Sequence, residues 1–250
     1  MLHGMAEQRK VALVTGGARR VGRAIVEKFA AAVYDIVFTY NRSESEARDL
    51  ERAIEGMGRT VMPIKVDVKW AADAVHTIWR PVDEQFGGYL DVLVNNASIY
   101  RRASINDVRF LQELKDAVEL HVAFPAELIR QFAPSLRQTR GHVINMIDLL
   151  AERPWPEYLP YCASKAALAN LTVSLARELA PEVTVNGIAP GVVDWPDDYP
   201  QAEREKYLKR VPLGRAGTPQ DVANLVHFLC TEGSYITGQI IRLDGGRSIT

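Results

Sequence analysis

Residues 10–32 read KVALVTGGARRVGRAIVEKFAAA. The apolar residues 10–14 have the composition of a short β-strand, and they lead directly into a turn that contains glycines. From residue 23 to residue 32 the apolar side chains recur at helical spacing. A strand, a glycine turn and a helix in this order place backbone N–H groups and a helix N-terminus where they can bind an anion. The stretch therefore predicts the first unit of an α/β fold, with an anion at the turn.

The rest of the chain repeats this alternation of apolar strands with helical segments. Further strands are predicted at Asp35–Tyr40, 61–66, 90–94, His142–Met146, 183–188 and 239–243. Such alternation indicates a parallel sheet with helices on both faces. The prediction is a single-domain, Rossmann-type, doubly wound parallel sheet of seven strands within residues 10–250, preceded by a disordered leader at residues 1–9. Pro81 is expected to interrupt or kink the helix that runs toward Phe86.

Composition and charge narrow the class of partner. The chain has 250 residues, 47% of them hydrophobic, and a formal net charge of −1, which gives no reason to expect nucleic acid or an anionic membrane. No apolar run approaches the roughly 20 residues of a membrane span, and the N-terminus lacks a signal-peptide core. The two cysteines, Cys162 and Cys230, have neither metal-ligand nor redox spacing. We therefore expect a cytoplasmic protein without a metal site.

Polar or glycine-containing segments follow the predicted strands. Parallel strands end at one edge of the sheet, and open α/β sheets bind ligands at that edge. The segments that should share this site are 15–22, 41–43, 67–68, 95–98, 146–148 and 190–191. In the first of them Arg19 and Arg20 add positive charge for a pyrophosphate, and Arg20 stands where a full G-x-G-x-x-G would have its middle glycine.

The segment after the second strand predicts which dinucleotide binds. A site for NAD needs a carboxylate about twenty residues past the glycine turn to hold the ribose 2′-hydroxyl. This chain has Asn41, Arg42 and Ser43 there, and no acid before Glu44. A guanidinium and a hydroxyl suit a 2′-phosphate, so NADPH is predicted over NADH.

Tyr161 and Lys165 stand four residues apart in a helical pattern, so they share one face of a helix. An ammonium beside a phenol favours the phenolate and would lower the pKa of the phenol from its ordinary value near ~10. The pair therefore predicts a proton donor, although by itself it also fits an ordinary helix start with two surface polar groups.

Together these motifs resemble the short-chain dehydrogenase/reductase family over residues 10–247. The resemblance rests on Thr15, Gly16, Gly22, Asp67, Asn95, Asn96, Ala97, Tyr161, Lys165, Pro190 and Gly191. It implies hydride transfer with a nicotinamide cofactor, Tyr161 as acid/base, Lys165 holding the nicotinamide ribose, and a homodimer or homotetramer. It also implies that an insert at about 192–219, with Trp195, Asp197, Asp198 and Tyr199, closes over the substrate. The expected cofactor-binding residues are Gly16, Arg19, Arg20, Val21, Asn41, Arg42, Ser43, Asp67, Val68, Asn96, Ala97, Ser98, Met146, Tyr161, Lys165, Pro190 and Gly191.

Asp148 departs from the family pattern, in which a serine usually lies thirteen residues before the tyrosine. A serine donates to a substrate carbonyl oxygen, whereas an ionised carboxylate beside a developing alkoxide is repulsive. A substrate that presents N–H groups, and takes a proton on a ring nitrogen as C=N is reduced, fits better. The predicted catalytic residues are then Asp148, Tyr161 and Lys165. Composition alone also allows Asp148 to be a turn residue that closes a strand.

With Arg20 in the turn and the segments TGGARRVGRAI, YNRSE and NNASIY, the chain resembles the pteridine reductase branch of that family. This implies NADPH-dependent reduction of dihydropterins and, in some members, of dihydrofolate. The implied substrate-binding residues are Arg20, Ser98, Tyr100, Asp148 and Tyr161, with Tyr100 stacking on the flat heterocycle.

Three points stay open on the sequence. His121 stands where many family members carry an asparagine, and it fits either a proton relay or a satisfied helix histidine. A carbonyl reductase of 3-oxoacyl or sugar type that has acquired Asp148 is an alternative function. An NADPH-binding regulatory protein without turnover is another, although the presence of both Tyr161 and Lys165 argues against it.

Overall fold

A parallel sheet forms the centre of the molecule in the computed structural model, which describes residues 9–195 and 199–250. Its strands are β1 (Val11–Val14), β2 (Asp35–Tyr40), β3 (Val61–Lys65), β4 (Val92–Asn95), β5 (His142–Met146), β6 (Thr184–Pro190) and β7 (Ile240–Leu243). They pair in the order β3-β2-β1-β4-β5-β6-β7, and each pairing is parallel. The predicted single-domain, seven-stranded Rossmann-type sheet is therefore confirmed.

Helices connect the strands and cover both faces of the sheet. They are α1 (Arg20–Ala31), α2 (Glu44–Gly56), α3 (Ala71–Phe86), α4 (Phe110–Val118), α5 (Phe124–Thr139), α6 (Leu159–Leu179), α7 (Gln201–Leu208) and α8 (Pro219–Thr231). Helix α1 packs with α8, and α3 packs with α5. No helix within the described ranges is both long enough and apolar enough to cross a membrane.

The order of the strands reverses between β1 and β4. The chain starts at β1, moves outward to β3, and then returns to β4 on the other side of β1. The two strands are held together at their carboxyl ends, where the Thr15 N–H donates to the Val94 carbonyl oxygen at 3.0 Å. Ligands of open α/β sheets bind at such a reversal, so the topology places a site beside the glycine turn.

Buried strands and a core on each face hold this edge in place. All residues of β1, β2 and β4 are buried, because helices cover them from both sides. Phe29 and Phe38 belong to the core on one face, and Phe124 and Phe132 to the core on the other. Full burial of one such side chain contributes about 1.5–3 kcal/mol.

Pro81 does not interrupt its helix, although interruption was one of the two expected outcomes. Helix α3 runs through Pro81 as one segment. Proline lacks the N–H that would bond to the Thr77 carbonyl, and Thr77 is exposed, so water can replace that donor. Ile78 and Val82 are fully buried on either side of the proline. Tertiary packing of these side chains therefore outweighs the loss of one helical hydrogen bond.

Two further features concern the helical segment around His121 and the predicted insert. A π-helical turn, Glu119–Ala123, separates α4 from α5 and contains His121. The insert contains α7, which is fixed where the Val192 N–H donates to the Tyr207 hydroxyl at 3.2 Å.

Parts of two predictions lie outside the described residues. These are residues 1–8 of the predicted leader, and Asp197 and Asp198 of the predicted insert. The last residue of the predicted leader, Arg9, is described, and its guanidinium lies 3.6 Å from the Asp35 carboxylate.

Candidate active site

Two glycines shape the turn between β1 and α1. Gly16 has φ +64°, and a Cβ on Gly22 would lie 2.2 Å from the Gly16 carbonyl oxygen, so the turn has no room for side chains there. The Thr15 hydroxyl oxygen accepts the N–H groups of Asn96 and Ala97 at 2.9 and 3.0 Å. The Asn96 side-chain amide donates back to the Thr15 carbonyl at 2.9 Å. The end of β4 therefore holds the turn, and with it the N-terminus of α1, in position.

Arg20 adopts the left-handed backbone conformation, with φ 51°. For a residue with a Cβ this conformation costs roughly 1–2 kcal/mol, which explains why related turns have glycine at this position. Its Nε lies 3.0 Å from a carboxylate oxygen of Asp194, which follows β6, and Arg19 lies 3.5 Å from Glu46. Both arginines remain about half exposed, at 50% and 53% of their side chains, so an anion can still reach them.

A cleft of about 1300 Å³ opens beside the turn and brings together most of the predicted cofactor residues. Those that line it are Gly16, Arg19, Arg20, Val21, Asn41, Arg42, Ser43, Asp67, Val68, Asn96, Ala97 and Ser98. The predicted residues outside this lining are Tyr100, Met146, Asp148, Tyr161, Lys165, Pro190 and Gly191.

The charges at the end of β2 favour an anion. Glu44, the first acid after the strand, accepts a hydrogen bond from Lys65 at 2.9 Å, and this bond lowers the pKa of the Glu44 carboxyl. The Asn41 amide donates to Asp67 at 3.1 Å. Among residues 9–195 and 199–250, no ion pair is formed by Arg42, which is exposed at the cleft. The guanidinium is therefore the charge that this wall of the cleft offers to a ligand.

Asp148 and Tyr161 form a hydrogen-bonded pair. Asp148 follows β5 and caps a short 3-10 turn, where one carboxylate oxygen accepts the Leu150 N–H at 2.8 Å. The other oxygen accepts the Tyr161 hydroxyl at 2.7 Å. Tyr161 lies in the first turn of α6, which begins at Leu159. The carboxylate thus occupies the place beside the phenol where the family pattern predicts a serine.

Lys165 does not bond to the Tyr161 hydroxyl. Its ammonium donates to the Met146 carbonyl at 2.7 Å and lies 5.7 Å from the centre of the Tyr161 ring. The side chain is buried, at 2% exposure, and burial lowers the pKa of Lys165 to about 8 even though the nearby Asp148 favours its charged form. The ammonium is therefore fixed at the end of β5, one turn of helix below the phenol.

The prediction that Lys165 lowers the pKa of Tyr161 is wrong for this arrangement. Burial raises the pKa of the phenol well above its ordinary value, and the Asp148 carboxylate raises it further by opposing a second negative charge. Burial also raises the pKa of Asp148, although the bonds from Leu150 and Tyr161 oppose this. Tyr161 is therefore a neutral phenol that donates, and Asp148 is the acceptor of this hydrogen bond.

Tyr100 contacts an aromatic residue that the sequence reasoning missed. Its ring stacks on that of Tyr158, with the ring centroids 4.4 Å apart. It also makes an edge-to-face contact with the Tyr161 ring, with the centroids 4.8 Å apart. The Tyr158 hydroxyl accepts from Arg102 at 2.9 Å. Tyr100 stays 49% exposed, so part of its surface is open. The available signal for Tyr158 was its spacing of three residues from Tyr161.

His121 connects the cleft to the Tyr161 helix. It lies in the π-helical turn, is 1% exposed, and faces the Tyr161 ring at a centroid distance of 5.6 Å. Its Nε2 is 3.0 Å from the hydroxyl of Ser98, a residue that lines the cleft, and its Nδ1 is 2.8 Å from the hydroxyl of Ser164. The dinucleotide-sized cleft and the Asp148–Tyr161 pair are therefore neighbours in one site. Ser164 was also missed by the sequence reasoning, since a buried serine in an alanine-rich helix has no distinctive pattern.

Comparisons with known proteins find relatives along almost the whole chain. A family model described as enoyl-(acyl carrier protein) reductase matches residues 16–248. The chain is 36% identical over 242 residues to a 3-oxoacyl-(acyl-carrier-protein) reductase FabG of Staphylococcus aureus, covering 95% of this chain and 97% of that protein. It is 34% identical over 248 residues to the FabG reductase of Thermotoga maritima, covering 97% of this chain and 99% of that protein.

Solved structures match along almost the whole chain. A short-chain dehydrogenase/reductase from Serratia marcescens has a TM-score of 0.89 and 32% identity, covering 96% of this chain and 98% of that one. A blue fluorescent protein from a metagenomic library, in complex with NADPH, has a TM-score of 0.88 and 34% identity, covering 95% of this chain and 97% of that one. An acetoin dehydrogenase from Enterobacter cloacae has a TM-score of 0.87 and 29% identity, covering 98% and 97%.

Proposed function

Since this chain belongs to the short-chain dehydrogenase/reductase family of oxidoreductases, we propose that it reduces a C=N bond of a dihydropterin, with NADPH as hydride donor. Dihydrobiopterin is the first candidate substrate, and dihydrofolate is the second. We propose a cytoplasmic homotetramer or homodimer. The features that favour this substrate class are the Asp148 acceptor beside Tyr161 and the exposed aromatic ring of Tyr100.

The observation that carries the proposal is the 2.7 Å hydrogen bond from Tyr161 to Asp148. Reduction of a ketone develops negative charge on oxygen, and a carboxylate at that position would oppose it. Reduction of C=N places a hydride on carbon and a proton on nitrogen, so no oxyanion forms. An amino-substituted heterocycle also presents N–H groups, which a carboxylate accepts in short, charge-assisted hydrogen bonds.

The residues at the cleft fit NADPH. The turn around Gly16 and Gly22 excludes side chains and leaves backbone and Arg19 for a pyrophosphate. Arg42, whose neighbouring acid is engaged by Lys65, suits a 2′-phosphate better than a hydroxyl. The metagenomic neighbour with bound NADPH supports the same choice. When bound, NADPH supplies the hydride from its nicotinamide ring, and the cofactor residues named from the sequence are proposed to hold it.

The roles of the remaining residues follow from their contacts. Tyr161 donates its proton to the ring nitrogen, because burial and Asp148 keep the phenol neutral until the nitrogen becomes basic. Asp148 orients the phenol and accepts an N–H of the substrate. Lys165 holds the nicotinamide ribose and supplies positive charge near the pair. Tyr100, supported from behind by Tyr158, stacks on the flat heterocycle.

A reductase of 3-oxoacyl thioesters is the second candidate function. The FabG relatives favour it, because they are 34–36% identical to this chain over nearly its whole length. A carbonyl substrate would have to accept the Tyr161 proton while Asp148 is neutral. Burial raises the pKa of Asp148, which makes its neutral form more accessible.

Turnover of a small substrate panel separates these functions. We expect nicotinamide absorbance to fall with dihydrobiopterin or dihydrofolate, and the KM for NADPH to be lower than that for NADH. Faster turnover of a 3-oxoacyl thioester or a sugar ketone would replace the pterin function by the second candidate. Tight NADPH binding without turnover of any of these substrates would instead indicate a regulatory protein. A lower KM for NADH would contradict the role of Arg42.

The pH dependence of kcat/KM should report the deprotonation of Lys165. Burial lowers the pKa of Lys165 to about 8, so its charge is present at neutral pH and is lost as the pH rises through that value. We expect kcat/KM to fall above about pH 8 when it is measured from roughly pH 6 to pH 10, since this parameter follows the free enzyme. A Lys165→Arg variant that keeps activity should lose this limb, because a guanidinium stays charged. A limb that persists in the arginine variant would assign the titration to another group.

A further inference from the structure

His121 has a defined hydrogen-bond partner at both ring nitrogens. Nε2 faces the Ser98 hydroxyl at 3.0 Å and the Ile99 backbone N–H at 3.2 Å. Nδ1 faces the Ser164 hydroxyl at 2.8 Å. The Ser164 hydroxyl also donates to the Tyr161 carbonyl oxygen at 2.7 Å. The side chain is 1% exposed, so these neighbours alone determine its protons.

The directions of these bonds identify the tautomer. A backbone N–H can only donate, so Nε2 must be an acceptor without a proton. The Ser164 hydroxyl has one proton and gives it to the Tyr161 carbonyl, so its oxygen accepts from Nδ1. His121 is therefore neutral, with its proton on Nδ1. Burial and the charge of Lys165 act in the same direction, since they lower the pKa of His121 to about 2.

The tautomer of His121 fixes the hydroxyl of Ser98. An Nε2 without a proton can only accept, so the 3.0 Å contact uses the single hydroxyl proton of Ser98. Ser98 lines the cleft, where its oxygen then has lone pairs to offer and no proton. A serine at this position would ordinarily be able to donate as well as accept. Here His121 accepts the hydrogen bond from the hydroxyl proton, so Ser98 can no longer donate to a ligand.

We propose that His121 is a positioning residue which turns Ser98 into an obligate hydrogen-bond acceptor toward the ligand. Together with the Asp148 carboxylate, Ser98 gives the site two hydrogen-bond acceptors. Such a site selects a flat ligand that presents N–H groups at both positions, as an amino-substituted pterin does, and disfavours one that presents an oxygen. The hydrogen-bond assignment stands on the contacts of His121, and the choice of ligand rests on the proposed function.

The first test reads the tautomer directly and needs no substrate. In the full-length protein with ¹⁵N-labelled histidine, we expect the two His121 nitrogens to have the unequal shifts of a neutral ring protonated at Nδ1. The titratable groups that face the ring are Lys165 and Tyr161, both on α6, so we expect no titration between about pH 5 and pH 9. A proton on Nε2, or titration within that range, would overturn the inference.

The second test replaces His121 by two amide side chains of different length. In His121→Gln the amide oxygen can replace Nε2 as acceptor for Ser98, whereas the shorter side chain of His121→Asn reaches only the position of Nδ1. With NADP⁺ bound, we expect the Kd for dihydrobiopterin to rise about tenfold in the asparagine variant and less than about threefold in the glutamine variant.

Ser98→Ala completes a double-mutant cycle. If His121 acts through Ser98, adding His121→Asn to Ser98→Ala should not weaken dihydrobiopterin binding further. Additive losses, or equal losses in the asparagine and glutamine variants, would refute the positioning role. If the wild-type protein neither binds nor reduces dihydrobiopterin but the Nδ1 tautomer is observed, the assignment for Ser98 is supported and the pterin function fails.

Discussion

Replacing Tyr161 with phenylalanine is expected to lower kcat by about 10²–10⁴-fold, the usual contribution of a positioned proton donor. The change removes only the hydroxyl that lies 2.7 Å from Asp148, while the ring keeps its edge contact with Tyr100. NADPH affinity should change far less than kcat, because Tyr161 is only one of the residues proposed to hold the cofactor. Steady-state turnover with the accepted substrate and NADPH fluorescence on the same preparation measure the two effects.

Tyr89→Phe is the matched control. It also removes one hydroxyl, which accepts from Gln138 at 3.2 Å, but it lies just before β4 at the opposite edge of the sheet from the site. Its kcat should remain within about twofold of the wild-type value. Full activity of Tyr161→Phe, or an equal loss in both variants, would exclude Tyr161 as the proton donor.

Substitution of Asp148 should change which substrate is reduced. Asparagine has the same shape but no charge, and it replaces one acceptor oxygen by a donor. We expect kcat/KM for dihydrobiopterin to fall about 100-fold in Asp148→Asn, because charge-assisted bonds to substrate N–H groups are lost and a donor faces them. In Asp148→Ser a hydroxyl can donate to a carbonyl oxygen, so activity on ketones should appear or increase while pterin activity falls.

Asp91→Asn controls for the effect of neutralising a partly buried carboxylate. Asp91 also accepts a backbone N–H, from Val11 at 2.8 Å, and burial also raises its pKa, but it precedes β4 and lies away from the cleft. Thermal unfolding of both variants separates loss of stability from loss of specificity. If wild-type protein reduces 3-oxoacyl thioesters and Asp148→Ser improves that activity without any pterin turnover in either form, the FabG-like function is the correct one.

The spacing of apolar residues in the sequence is sufficient to predict the parallel sheet. Buried parallel strands such as β1 and β2 are short apolar runs, and the helices between them have apolar residues at helical spacing, so both can be recognised locally. The sequence also predicts the edge of the sheet at which ligands bind, because residues just after parallel strands must meet at that edge. Pro81 shows the limit of this approach, since the burial of Ile78 and Val82 overrides a local preference that the sequence displays.

The choice of partner for each polar group was decided by the tertiary structure. The spacing of Tyr161 and Lys165 alone predicts that the ammonium lies beside the phenol, yet the ammonium donates to the Met146 carbonyl and the phenol donates to Asp148. In the same way, His121 gains its tautomer from residues 23 and 43 positions away along the chain.

The sequence by itself determined the fold and the edge at which these groups assemble. It could not determine their protonation, because a pKa depends on burial and on the nearest charge. A hydrogen bond likewise depends on distances of a few tenths of an ångström. The pKa values and the hydrogen-bond distances are both set only when segments that are distant in the chain have packed together.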